Sequence, residues 1–224
     1  MLYAIDIDST IAIDRTGCAR FLNKHLRLGI DDSTLAGLAG YWAFLELAPV
    51  QEFRARAEEA YQEALKRSDD DLTVLAEMEP LPGAVSSVQR LAEHDHILYV
   101  TCRKKANREA TRAWLAWAGF PSATNVATCD WYHSKYLHAY ERAGEREQIV
   151  LIDDMMEQIV RSFGRVARDH TQIALSLLRR MEVVGFGHKS LPPLPEGVPF
   201  AHSLLANWGG LETWLESKKE RESV

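Results

Sequence analysis

The chain has 224 residues, 46% of them hydrophobic and 26% charged, proportions that allow one large core or a core with a sizeable insertion. Its 26 Lys and Arg against 32 Asp and Glu leave a net charge of −6, which argues against a generic polyanion or nucleic-acid binder while leaving room for a local basic pocket. Met1–Ile5 runs into Asp6 without a basic leader, and Ser33–Leu45 falls short of the ~20 residues of a membrane span, so neither signal peptide nor membrane anchor is expected. Leu2 to Ile7, apolar except for Asp6, then reads as a short buried strand. From about Arg15 to Glu79 the texture is Ala, Leu, Glu and Arg, with helices expected over Gly17–Leu28, Ser33–Leu47 and Val50–Arg67. Asp69-Asp70-Asp71 caps a further short helix through Ala76, and Pro80-Leu81-Pro82-Gly83 breaks the run.

Strand and helix then alternate. Ala84–Glu93 is a helix, Ile97–Thr101 a strand, Asn107–Ala118 a helix, Asn125–Thr128 a short strand and His133–Arg142 a helix. Ile149–Ile152 is an apolar strand ending in Asp153-Asp154; Met155–Arg180 is helical with a break at Gly164; Glu182–Phe186 is another strand. Leu204–Leu215 reads as a helix carrying Trp208 and Trp214, and Lys218–Val224 as a frayed charged tail. Apolar strands separated by helices imply an α/β fold, a Rossmann-like parallel sheet with helices on both faces. The first strand belongs with those after residue 96, so residues 1–14 and 80–224 form the core and residues 15–79 a helical cap inserted after the first strand.

Asp6-Ile7-Asp8 is the most informative stretch. Two carboxylates two residues apart at the end of a buried strand point to one side. Ligands of open α/β sheets bind beyond the carboxyl ends of strands. Such a pair can hold a divalent cation, divide nucleophile and acid/base roles, or merely cap the following turn. Asp153-Asp154 is a second acidic pair at the end of a second apolar strand. Adjacent strands would gather four carboxylates that repel unless protonated or bridged by a cation. Oxygen ligands with no His or Cys cluster nearby favour Mg2+ over Zn2+. Thr101 ends another strand with a hydroxyl suited to a phosphoryl oxygen or to an N-cap. Lys135, in the helix before the last acidic pair, is placed to offset the excess negative charge or to sit in solvent.

The order strand–DxD, strand–Thr, helical Lys, strand–DD resembles the haloacid dehalogenase (HAD) superfamily of Rossmann-like phosphohydrolases, over residues 1–14 and about 80–187. Thr101-Cys102-Arg103, with Thr111–Leu115 and Gly119-Phe120 beyond it, resembles the family's 5′-nucleotidase-like members. The resemblance implies that Asp6 is the nucleophile, forming an aspartyl-phosphate, and that Asp8 is general acid and then general base. It implies that Thr101 holds a phosphoryl oxygen and that Lys135 steadies the nucleophile and the transferred charge. Cys102 and Arg103 would line the substrate phosphate, a surface ion pair being the other reading of Arg103. Mg2+ would sit on Asp6, the Asp8 main-chain carbonyl and Asp154, with Asp153 close by. An acid at position 8 favours a phosphatase, since dehalogenases of the superfamily lack one there. Position 9 is Ser where the family commonly has Gly, and Lys104 or Lys105 is an alternative to Lys135.

The expected activity is Mg2+-dependent hydrolysis of a phosphomonoester, on a small phosphorylated metabolite or nucleoside monophosphate. A phosphatase for nucleic-acid ends and a catalytically silent binding protein of the same fold are the alternatives. Aromatics of the cap, Tyr41, Trp42 and Phe44, read either as its core or as a platform over the site. Cys18, Cys102 and Cys129, odd in number and without a C-x-x-C pair, are expected as reduced thiols in a cytoplasm.

Overall fold

Every residue of Leu2–Ile5 (β1) is buried, because alternate side chains enter two different cores. Tyr3 and Ile5 face one, with Ile97, Tyr99, Val150 and Ile152 of neighbouring strands; Leu2 and Ala4 face the other, with Leu98, Val100 and Leu151. Two-sided burial is why these strands read as continuous apolar runs rather than as alternating ones. In this computed structural model the described residues are 1–13, 23, 26–31, 33–34, 47–52, 56, 78–188 and 201–222.

β1 is followed by a two-residue strand, Ala12–Ile13 (β2), which pairs antiparallel with Glu79–Pro80 (β3). This ribbon closes the base of the segment expected to be the cap. The segment expected to be a cap, with Tyr41, Trp42 and Phe44, lies outside the described residues apart from short pieces such as the helical turn Ala48–Gln51. After β3 come α1 (Ala84–Ala92), β4 (His96–Thr101), α2 (Arg108–Trp117), β5 (Val126–Thr128), α3 (Tyr132–Arg142) and β6 (Ile149–Asp153). The chain continues through α4 (Met156–Asp169), α5 (Thr171–Arg180), β7 (Met181–Phe186), β8 (Ala201–Leu205) and α6 (Leu211–Glu222).

The main sheet has six parallel strands in the order β5-β4-β1-β6-β7-β8. Helices α1, α2 and α6 cover one face through Val88, Leu91, Trp114, Leu115, Leu211 and Trp214. Helices α3, α4 and α5 cover the other; α4 alone commits Met156, Ile159, Val160, Phe163 and Val166, an i, i+3, i+4, i+7 stripe. The α/β expectation holds. Because the chain leaves β1 for β4 on one side and later returns to β6 on the other, β1 is the topological switch point.

Three expectations of the sequence are corrected. The long helix breaks at His170, not at Gly164, which lies inside α4. Gly164 is exposed, where a glycine costs only ~1 kcal/mol, and the apolar stripe carries the helix past it. Residues 204 and 205 belong to strand β8, and the helix begins only at Leu211. β8 is an edge strand whose first four residues are at least partly exposed, so it lacks the fully apolar signature of the inner strands. The tail expected to fray continues as α6 through residue 222, with Lys218 buried on Glu182 at 2.6 Å.

Candidate active site

The residues following β1 lie beside those ending β6, because Ile5 pairs with Ile152 and the Asp6 N–H donates to the Ile152 carbonyl at 2.9 Å. That register sets Asp6 next to Asp153. Beyond Asp6 the chain closes a turn in which Ile11 and Ala12 donate to the Ile7 carbonyl. Ser9 adopts φ +61°, a left-handed conformation that glycine reaches without steric cost.

Lys135 enters from the first turn of α3. Its side chain is 2% exposed, and its Nζ lies 2.6 Å from Asp6 Oδ1 and 2.6 Å from Asp153 Oδ2. The Tyr132 ring centroid is 5.5 Å from the same ammonium. Asp153 is fully buried, and its other oxygen accepts the Met155 N–H at 2.8 Å, so both of its carboxylate oxygens are engaged. Asp154 is held through its main chain. Its N–H donates to Thr10 Oγ1 at 3.2 Å, and its carbonyl accepts from His188 Nε2 at 2.7 Å, which assigns the ring proton to that nitrogen. Gly185, paired with Asp153 in the sheet, lets Met156 and His188 approach closely: a Cβ would stand 2.6 Å from Met156 Sδ and 3.2 Å from His188 Cδ2, so those side chains would have to shift.

On the β4 side, Thr101 is fully buried, and its hydroxyl oxygen accepts the Arg103 N–H at 3.2 Å. The same hydroxyl lies 3.4 Å from Asp8 Oδ2. Arg103 is buried and grips Asp8 with two nitrogens, Nε at 3.0 Å and a terminal nitrogen at 2.6 Å. Cys102 projects from the turn, its thiol pushed up to about 11 by burial of the sulfur and the surrounding carboxylates against the Lys135 charge, and so neutral. Lys104 and Lys105 are exposed, whereas Lys135 reaches the carboxylates.

No protein-family model matches the sequence, and no curated protein matches it. Solved structures do resemble it. A HAD-superfamily hydrolase from Ehrlichia chaffeensis superposes with a TM-score of 0.55 at 11% identity, over 96% of this chain and 96% of that one. A haloacid dehalogenase-like hydrolase from Streptococcus pneumoniae gives 0.53 at 12% identity, over 95% and 97%. A HAD-family hydrolase from Deinococcus radiodurans, with bound phosphate and sodium, gives 0.50 at 14% identity, over 96% and 95%. The chain has the haloacid dehalogenase fold. The switch point at β1 and the acidic residues beyond β1 and β6 lie at one edge of this sheet.

At that edge Asp6, Asp153 and Asp154 each offer an oxygen within 4.8 Å of the other two. Three hard oxygen donors gathered this closely, with no nitrogen or sulfur ligand in the group, have the chemistry of a site for a hard divalent cation such as Mg2+. The charges fit as well. Among the described residues four carboxylates face two cations, Lys135 and Arg103, which leaves two negative charges for a divalent ion to balance. Among the described residues nothing hydrogen-bonds to the Asp154 carboxylate, in contrast to that of Asp153. Burial pushes Asp154 up to about 8, helped by Asp6 and Asp153 and opposed by Lys135. Burial likewise raises Asp6 to about 7, against the pull of Lys135 and with Asp153 and Asp8 adding to it. Burial works to lower Lys135, but Asp153 and Asp6 hold it well above the ordinary lysine value.

These shifts have a sign that can be measured. In divalent-free buffer the folded protein binds protons at Asp6 and Asp154 that the unfolded chain releases near pH 4, so stability is fullest at low pH and falls as pH rises through 7 to 8. Melting temperatures in EDTA should therefore decline between pH 5 and 9, and millimolar Mg2+ should flatten that decline by replacing the protons. Curves that stay parallel with and without Mg2+ would exclude a cation from the carboxylates.

Of the residues singled out in the sequence, Asp6, Asp8, Thr101, Arg103, Lys135, Asp153 and Asp154 come together at one edge, with Cys102 beside them. Two participants carried no usable signal. Thr10 adjoins the acidic pair and supports Asp154, and His188 arrives from beyond β7. A lone histidine after a strand is indistinguishable from a solvated one until the strand order is known.

Proposed function

We propose that the protein is a Mg2+-dependent phosphomonoesterase that works through an aspartyl-phosphate on Asp6. The chief support is the Asp6 carboxylate at the C-terminal edge of the sheet, fixed by the Lys135 ammonium at 2.6 Å, with the half-exposed carboxylate of Asp8 two residues on. Hydrolases of the same fold, one of them with bound phosphate, support it from outside the chain. Asp6 attacks phosphorus, the bond to the leaving oxygen breaks, and Asp8 gives that oxygen its proton. Water then attacks the phosphorus of the acyl phosphate, Asp8 takes its proton, and the bond to Asp6 breaks to release inorganic phosphate. Thr101 holds a phosphoryl oxygen, Cys102 lines the turn beside it, and Lys135 keeps Asp6 oriented and offsets the charge of the transferred group. Asp6, the Asp8 carbonyl and Asp154 would hold Mg2+, with Asp153 braced behind them. The ion supplies the positive charge that lets an anionic nucleophile and an anionic phosphate meet.

The substrate class is a small phosphorylated metabolite or a nucleoside monophosphate, as in 5′-nucleotidase-like members; the acidic balance supports a small molecule over a nucleic-acid end. The protein works in the cytoplasm. Among the described residues no helix is long and apolar enough to cross a membrane. A panel of phosphomonoesters, nucleoside monophosphates included, assayed with Mg2+ and with EDTA, tests the reading. Phosphate release that needs Mg2+ is expected, and silence across the whole panel would leave a metabolite-binding protein of the same fold.

A further inference from the structure

Arg103 is 7% exposed, yet it carries a charge that a buried position would not tolerate without partners. Nε and one terminal nitrogen span the two oxygens of Asp8, at 3.0 and 2.6 Å. The other terminal nitrogen donates to Thr111 Oγ1 of α2 at 3.2 Å, and Met78 Sδ lies 2.9 Å from the first. Four of the five guanidinium N–H bonds are thus spoken for before any substrate arrives. The Arg103 main-chain N–H is taken too, by Thr101 Oγ1. Met78 is itself anchored, its carbonyl accepting the Trp114 indole N–H at 2.9 Å. The guanidinium is therefore a fixed fork, and a planar fork facing a carboxylate sets that carboxylate's orientation as well as its charge.

We propose that Arg103 is a positioning residue for Asp8, clamping its carboxylate in the orientation from which it exchanges protons with the leaving oxygen and the attacking water, and that it is not a phosphate ligand. The inference rests on the acid/base role given to Asp8 above. The clamp explains how a half-exposed side chain, on a turn that runs through the left-handed Ser9, keeps one orientation. α2 and Met78 fix Arg103, and Arg103 fixes Asp8. A Lys at position 103 would keep the charge but could not span both oxygens.

Two measurements test it, one free of catalysis. In a double-mutant cycle of Asp8→Asn, Arg103→Met and the pair, melting temperatures should be non-additive by ~3 °C or more, because each single change breaks the same clamp. Additivity within ~1 °C would overturn the clamp. The second measurement is kcat/KM, which reads the chemistry only through phosphoryl transfer to Asp6, compared between an alkyl phosphate and p-nitrophenyl phosphate. The alkoxide needs a proton to leave and p-nitrophenolate does not. Arg103→Met should lower kcat/KM for the alkyl ester by roughly 10²-fold, and for the nitrophenyl ester by less than about tenfold. Competitive inhibition by inorganic phosphate should stay within about twofold of wild type, since uniform binding is untouched. Arg103→Lys should fall between wild type and the Met variant, and it replaces that variant if the latter does not fold. An equal loss on both esters with weaker phosphate inhibition would make Arg103 a substrate contact and overturn the proposal. Silence of the wild type on every ester would instead overturn the phosphatase reading, while the melting cycle would still decide the clamp.

Discussion

Asp6→Asn is expected to abolish phosphate release while leaving the fold intact. The amide keeps the shape of the carboxylate but is not a nucleophile, so turnover should fall by at least ~10³-fold on every substrate the wild type hydrolyses. Stability should move the other way. Asp6 is buried and costly to ionise, and Lys135 retains Asp153 as a partner, so above pH 7 in EDTA the Asn variant should melt no lower than wild type. Phosphate release and melting temperature, read on the same samples, separate a lost nucleophile from a damaged protein. Equal turnover by Asp6→Asn would remove Asp6 from the chemistry.

Lys135→Met should cost both stability and rate. Its ammonium lies against two buried carboxylates, and without it the four acids keep Arg103 as their single cation among those described at the site. Removing one partner of a buried ion pair costs about 3–5 kcal/mol, which for a chain of this size lowers the melting temperature by roughly 6–20 °C. The loss should be large at pH 8 and smaller at pH 5, where Asp6 and Asp154 take up protons and no longer need the lysine. Activity should drop by ~10²-fold at saturating substrate, because the positive charge at the developing phosphoryl group is gone. Paired melting curves at the two pH values check this, and a loss independent of pH would mean that Lys135 acts only by packing.

Much of this site was legible in the chain because its chemistry contradicts its setting. Two aspartates where an apolar strand ends, and two more where another ends, are costly in any structure that does not bring them to one edge for a purpose. The inner strands were legible for the same kind of reason, since burial on both faces demands uninterrupted apolar runs. Lys135 was placed by its order in the chain, with Lys104 and Lys105 open; their exposure and its reach to two carboxylates separate them.

What the sequence by itself determined, then, was the parallel α/β core and its acidic edge. The tertiary structure alone decided which side chain holds which. Arg103 read as a phosphate ligand or a surface ion pair, and it is buried on Asp8; His188, beyond the last inner strand, fastens the main chain of Asp154; Lys218, expected in a frayed tail, is buried on Glu182. Strand β8 emerged only in space as well, because an edge strand draws its stability from pairing with β7 rather than from burial of both faces. The physical reason is common to all four. Periodicity and composition report the solvent a residue faces, which is a local property. A hydrogen bond or ion pair between residues 34 or 95 positions apart depends on strand order and register, which local pattern does not encode.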